Sequence, residues 1–207
     1  MEVLNKMNLS TNTEPFLGKL KGKRIILASN SPRRQELLRG LEVQLEVKVH
    51  PVDETVPPDL PAEYAAAYLS KLKAENYPDP LSENEILITA DTVVILKDQI
   101  LGKPNSEQEA FEMIKRLSGT THKVMTAVTL TDHRKCITLQ DETKVTFRLL
   151  DEEEIWHYVR QYRPFDKAGA YGIQEWIGFT GVTSIEGSYF TVMGFPQHLV
   201  YQQLKRW

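Results

Sequence analysis

The chain has 207 residues, 41% of them hydrophobic and 26% charged, which fits an ordinary soluble globular domain and excludes a disordered one. Its net charge of -3 gives no general pull toward nucleic acid, so any anion site has to be built locally. Cys136 is the only cysteine, which excludes an internal disulfide and a cysteine zinc cluster.

In chain order, residues 1–22 read as an N-terminal extension with a short helix around Phe16 and Leu20, and residues 23–207 as a single domain. The extension has no apolar run of signal-peptide length. Nowhere does the chain offer the ~18 consecutive apolar residues of a membrane span, so a cytoplasmic protein without a membrane partner is expected. Ile25 to Ala28 look like the end of a buried strand. Ser31 then serves as a helix N-cap and Pro32 as the first helical residue, with Leu37, Leu38 and Leu41 as the apolar face.

Residues 43–49 alternate apolar and polar side chains, which predicts a half-buried strand, and a proline-rich loop with Asp53 and Glu54 follows. Residues 61–76 read as a helix stopped by Tyr77-Pro78, and the β-branched run over 85–96 predicts a central strand. Ser106 and Glu109 suggest a capping box for a helix ending near Leu117, with Gly119 as its stop. "KVMTAVTLT" and "CITLQDETKVTFRLL" around "DHRK" predict a hairpin, and residues 151–162 a helix with an acidic first turn. "RPFDKAGAYGIQ" reads as a loop, "TSIEGSYFTVMG" as a strand or strand pair, and residues 196–205 as a closing helix. This mixture, without strict βαβ order, predicts an α/β fold with a mixed sheet flanked by helices.

Two placements run against local physics. Arg33 and Arg34 stand in the first turn of a helix, where the positive end of the macrodipole favours acidic residues. They are either solvated and tolerated or they share an anion with the free N–H groups of the helix end. Asp91 interrupts an apolar strand, either as a carboxylate bonded to nearby backbone N–H groups or as one that holds metal or activates water. Glu54, Lys73, Lys103, Lys167 and Gln174 are unremarkable singly, although the last two lie on a loop able to close over a ligand. No P-loop, GxGxxG or GxSxG occurs, the five histidines show no zinc spacing, and no basic, aromatic-interleaved face suggests nucleic acid.

Taken together, "LASNSPRRQELL", "VDE", "KLKAE", "TADTVV", "LGKP", "RLSGTTHKVMTAV", "DKAGAYGIQ" and "IEGSYFTVMGFP" resemble, in order and spacing, the Maf family of nucleoside triphosphate pyrophosphatases, once called septum-formation inhibitors. The resemblance runs from Arg24 to the C-terminus. It implies an elongated α/β fold similar to the inosine triphosphate pyrophosphatase superfamily, with two lobes around a cleft, a Mg²⁺ or Mn²⁺ cofactor and a homodimer. It also implies cleavage between the α- and β-phosphates. Asp91 would be the general base or a metal holder, with the family favouring the first. Glu54 would hold metal, and Ser31, Arg33, Arg34, Lys73, Lys103 and Lys167 would bind substrate.

Arg33, Thr92 and Gln174 match the positions that mark the subgroup acting on dTTP and UTP, and the subgroup acting on 7-methyl-GTP usually departs there. Two departures stand beside these matches: Glu175-Trp176 where glycine often follows the glutamine, and Thr191 where asparagine is common. The rival readings are a pyrophosphatase for modified or other nucleotides and a nucleotide-responsive cell-division regulator without turnover.

Overall fold

The computed structural model describes Leu17, Leu20 and residues 22–207. The helix expected around Phe16 lies outside the described residues apart from Leu20, which is buried with Leu17 in the core.

Residues Glu85–Leu96 form the long strand β3 at the axis of a seven-stranded sheet. On one side β3 pairs in parallel with β1 (Arg24–Leu27), which pairs in parallel with β2 (Leu45–Val47). On the other side it pairs antiparallel with β5 (Thr121–Thr131), followed by β6 (Cys136–Phe147) and β7 (Val182–Glu186). A short strand β4, Gln99–Leu101, returns antiparallel along β3 from Val94 onward. The expected mixed sheet is therefore present. β2 is shorter than expected, because only its central residues reach the ladder of β1.

Side chains alternate between the faces of a strand, and β3 uses both faces. Leu87, Val93 and Ile95 face the helix α2, Ala65–Glu75, whose small residues Ala65, Ala66 and Ala74 allow close approach. The opposite face is divided. Ile86, Ile88 and Ala90 pack under α1, Pro32–Arg39, and α7, Gln197–Lys205, through Leu37, Leu38, Val200 and Leu204. Val94 and Leu96 pack under α3, Glu107–Leu117, and α4, Glu152–Tyr162, through Ile114, Leu117, Ile155 and Tyr158. Two cores thus share one face of one strand, and between them lies Thr92, the only residue of β3 that is not buried.

β1 follows β3 only as far as Ile88, and β4 joins the same edge only at Val94. The edge from Thr89 to Val93 has no strand partner on that side. This gap, with a helix group on each flank, is the cleft.

Other sequence expectations meet the structure with small corrections. Ser106 caps α3 by accepting from the Glu109 N–H at 3.1 Å, but the Glu109 carboxylate answers Asn105 rather than Ser106. Gly119, at φ +68°, ends that segment as expected. Trp176–Gly181 form an additional short helix, α5, and "TSIEGSYFTVMG" is not a strand pair: β7 ends at Glu186, and Tyr189–Val192 form the short helix α6. Thr143 anchors that turn by accepting from the Ser188 N–H and donating to its carbonyl, which bends the chain away from the sheet.

Candidate active site

The cleft holds about 370 Å³, within the usual range of small-molecule sites. Five cationic side chains (Arg33, Arg34, Lys73, Lys103 and Lys167) line it with three carboxylates (Glu54, Asp91 and Asp166). A chain that is negative overall has built a locally positive hollow, which is what an anionic ligand requires.

On the α2 face, Asp91 projects from the open edge of β3 and is only 8% exposed. Lys73, from α2, donates to its Oδ1 at 2.6 Å and lies 3.0 Å from Glu54 Oε1. The ammonium therefore bridges the two carboxylates that the sequence separates by 37 positions, and offsets the cost of burying Asp91. Asp91 is not a carboxylate satisfied by nearby backbone N–H groups: its partner is a charged side chain in the cleft.

Arg33 and Arg34 diverge. Ser31 caps α1 by accepting from the Arg34 N–H at 3.5 Å. The Arg34 guanidinium then turns inward, donating to the carbonyls of Ala90 at 2.8 Å and Gly194 at 3.0 Å. It also donates to Thr92 Oγ1 at 3.1 Å and Ser29 Oγ at 3.4 Å. Of the five N–H donors of an arginine, one remains for a ligand. Burial pulls this guanidinium below its ordinary value, opposed by the charge of Asp91 and reinforced by that of Arg33, yet arginine starts so high that it stays charged. Arg33 has a single partner among the described residues, Asp166 at 3.3 Å, and faces the open cleft.

Lys167 is buried and lies 2.8 Å from Asp166 and 3.1 Å from Glu175. Burial alone would raise the Asp166 carboxyl, but the hydrogen bond and charge of Lys167, with the charge of Arg33, hold it below its usual value. Lys103 stands exposed at the cleft without an ion pair among the described residues. Gln174 also lines the cleft, its amide nitrogen 3.0 Å from where a Cβ on Gly172 would be.

The two departures from the family pattern have structural explanations. Glu175 does not line the cleft: its carboxylate accepts from the Tyr158 hydroxyl and pairs with Lys167. Tyr158 in turn accepts from the Gly172 N–H at 3.0 Å, so this group clamps the loop that carries Gln174. Trp176 packs edge-on to His157, 5.0 Å between ring centres, on the core of α3 and α4. Thr191 donates to Asp141. None of these three side chains lines the cleft.

The remaining wall is different in kind. Thr92, Val94 and Val124 from the opposite sheet face, with Tyr171, Val192 and Met193, form a mainly apolar surface suited to a flat ring. Sequence reasoning did not single out Ser29, Asp166, Thr126 or Gly194. All four lie within the motifs quoted above, but none stands out there by residue type: a threonine such as Thr126 in a β-rich run looks like any other strand residue.

Residues 24–207 match the family described as Maf-like protein. The chain belongs to the Maf family. Maf relatives of known name are close in sequence. "dTTP/UTP pyrophosphatase" of Flavobacterium johnsoniae is 48% identical over 186 residues, 90% of this chain and 96% of that protein. The proteins of the same name from Phocaeicola vulgatus and Porphyromonas gingivalis are 49% and 46% identical, each over 92% of this chain and 100% and 97% of their own. The solved Staphylococcus aureus Ham1 protein overlays with a TM-score of 0.39 at 14% identity, covering 60% of this chain and 72% of its own.

Among the described residues no helix is long and apolar enough to cross a membrane. Nor do three or more His, Cys, Asp or Glu side chains among them stand close enough together to hold a metal ion by themselves. Glu54 and Asp91 nonetheless suit a hard divalent cation, because both present carboxylate oxygens to one point, now shared through Lys73. Mg²⁺ characteristically takes one or two carboxylates and completes its shell with substrate phosphate and water.

Proposed function

We propose that this Maf-family chain hydrolyses dTTP and UTP between the α- and β-phosphates, releasing the nucleoside monophosphate and pyrophosphate. The observation that carries this reading is the adjacency of Asp91 and Thr92 on opposite faces of one open strand edge. The apolar wall around Thr92 takes the base and the charged wall takes the triphosphate. Asp91 stands where the two meet, so its carboxylate faces the phosphorus nearest the sugar rather than the terminal one.

Asp91 accepts the proton of the attacking water, and Lys73 holds the carboxylate in place until substrate arrives. Arg33 and Lys103, the least engaged cations, take the phosphate oxygens, with Ser31 and the end of α1 beside them. Lys167 acts mainly through Asp166, steadying the partner of Arg33. Glu54 and Asp91 would hold Mg²⁺ or Mn²⁺ together with the phosphates, and the ion supplies charge neutralisation at their oxygens. Gln174 and Thr92 read the base edge. The reading includes a homodimer, as the family resemblance implies, and a cytoplasmic place without a nucleic-acid partner, as the composition and charge pattern suggest.

The test is a panel of nucleoside triphosphates, 7-methyl-GTP included, with Mg²⁺ or Mn²⁺ and scored for pyrophosphate release. dTTP and UTP should lead it, and chelator should abolish turnover. Release from none of the panel, or a purine triphosphate in the lead, would overturn the reading.

A further inference from the structure

The hydroxyls behind the apolar wall form a chain with only one possible direction. Thr126 Oγ1 lies 2.7 Å from the carbonyl of Thr191, which can only accept, so the Thr126 proton is committed there. Thr92 Oγ1 lies 3.0 Å from Thr126 Oγ1, so Thr92 must be the donor of that pair. At its other side Thr92 Oγ1 accepts from Arg34 Nη2 at 3.1 Å, and a guanidinium can only donate. The sequence of donors is therefore Arg34, Thr92, Thr126, then the Thr191 carbonyl.

One lone pair of Thr92 is left, and Thr92, the only residue of β3 that is not buried, lines the cleft. The space beside it is kept free by Gly194, at φ +100°, where a Cβ would stand 3.2 Å from Thr92 Oγ1.

We propose that Thr126, which is buried and does not line the cleft, sets base choice by forcing Thr92 to present an acceptor alone. Uracil and thymine offer a donor at N3–H and satisfy it. Cytosine offers a lone pair at N3, which would face the lone pair of Thr92 with no proton between them. A freely rotating hydroxyl could serve either base. One whose proton is committed elsewhere rejects the wrong base, because buried polar groups are then left unpaired. Thr126 is thus a positioning residue for specificity, and the inference rests on the pyrimidine reading proposed above.

The experiment compares kcat/KM for UTP and CTP in the wild-type chain, Thr126→Val and Thr126→Ser, with thermal melting as the check on folding. Thr126→Val keeps the branched shape but removes the acceptor, which frees the Thr92 proton to turn toward the cleft. The UTP to CTP ratio should fall by about tenfold or more. Thr126→Ser, with its hydroxyl restored, should keep the wild-type ratio. Should the valine variant fail to melt cooperatively, Thr126→Ala removes the same hydroxyl and is read in its place. A folded variant without the hydroxyl that keeps the wild-type ratio overturns the role of Thr126 while leaving the pyrophosphatase reading intact. A wild-type chain that turns over neither dTTP nor UTP overturns both.

Discussion

Among the described residues, Arg34 reaches four acceptors from the first turn of α1, whereas Arg33 reaches Asp166 alone. The unfavourable placement of paired arginines was visible in the sequence, but their division of labour was not. It depends on Ala90 and Gly194, which lie far along the chain and offer carbonyls that no pattern marks. Asp91 was more legible, since a carboxylate inside an apolar strand has to find a partner, and here it finds Lys73. The predicted consequence at this scale concerns Asp91→Asn, which keeps the shape and one acceptor oxygen while losing charge and basicity. Its kcat should fall by at least roughly a hundredfold with dTTP affinity retained, as single-turnover and equilibrium-binding measurements would read. Near wild-type turnover would remove Asp91 from the reaction.

Among the elements, the strand β3 has the bounds its β-branched run suggested, and α1, α3 and α4 start at their capping residues. Where local preference and tertiary demand disagree, the chain departs from its pattern. Tyr189–Val192 is rich in strand-favouring residues yet helical, because Thr143 holds Ser188 on both its N–H and its carbonyl. The Gln174 loop shows a second long-range device, the Gly172–Tyr158–Glu175–Lys167 clamp. Tyr158→Phe leaves the Gly172 N–H without its acceptor at a buried position, a loss of about 1–3 kcal/mol. We expect a lower melting temperature and a rise in the KM for dTTP that exceeds any fall in kcat, since the loop carries Gln174, the residue proposed to read the base. An unchanged KM would mean that the loop is held by other contacts.

For the molecule as a whole, the sequence supplied the class and the order of most elements, but not the short helices Trp176–Gly181 and Tyr189–Val192. It did not supply the division of one sheet face between two cores, which leaves Thr92 open and creates the cleft. That division arises from the early end of β1 and the late start of β4 along β3, and pairing lengths of this kind are set by three-dimensional packing. The same architecture buries His122 between Phe147 and Tyr171. Its Nε2 lies 2.7 Å from the Tyr171 hydroxyl and its Nδ1 is without a partner among the described residues.

Burial lowers the His122 pKa from 6.5 to about 4, so between those values the unfolded chain binds a proton that the folded chain refuses. Stability from this group is full above pH 6.5, declines as the pH falls toward 4, and loses nothing further below that. The loss is at most about 3 kcal/mol. Glu85, held at about 2 by hydrogen bonds from Ser82 and Arg24, adds its own loss only below its ordinary 4.5. Urea titrations should therefore show the midpoint dropping between pH 6.5 and 4.5 in the wild type, with a flatter profile in His122→Gln. An equal slope in both would assign the acid sensitivity elsewhere.

Asp91, where the proposed base wall and phosphate wall meet, is expected to direct water to the phosphorus nearest the sugar. Turnover of dTTP in ¹⁸O-water with Mg²⁺, followed by mass analysis of the products, tests it most directly. Labelled dTMP and unlabelled pyrophosphate should appear in equal amounts. Label in the pyrophosphate, or dTDP and orthophosphate as the main products, would contradict it.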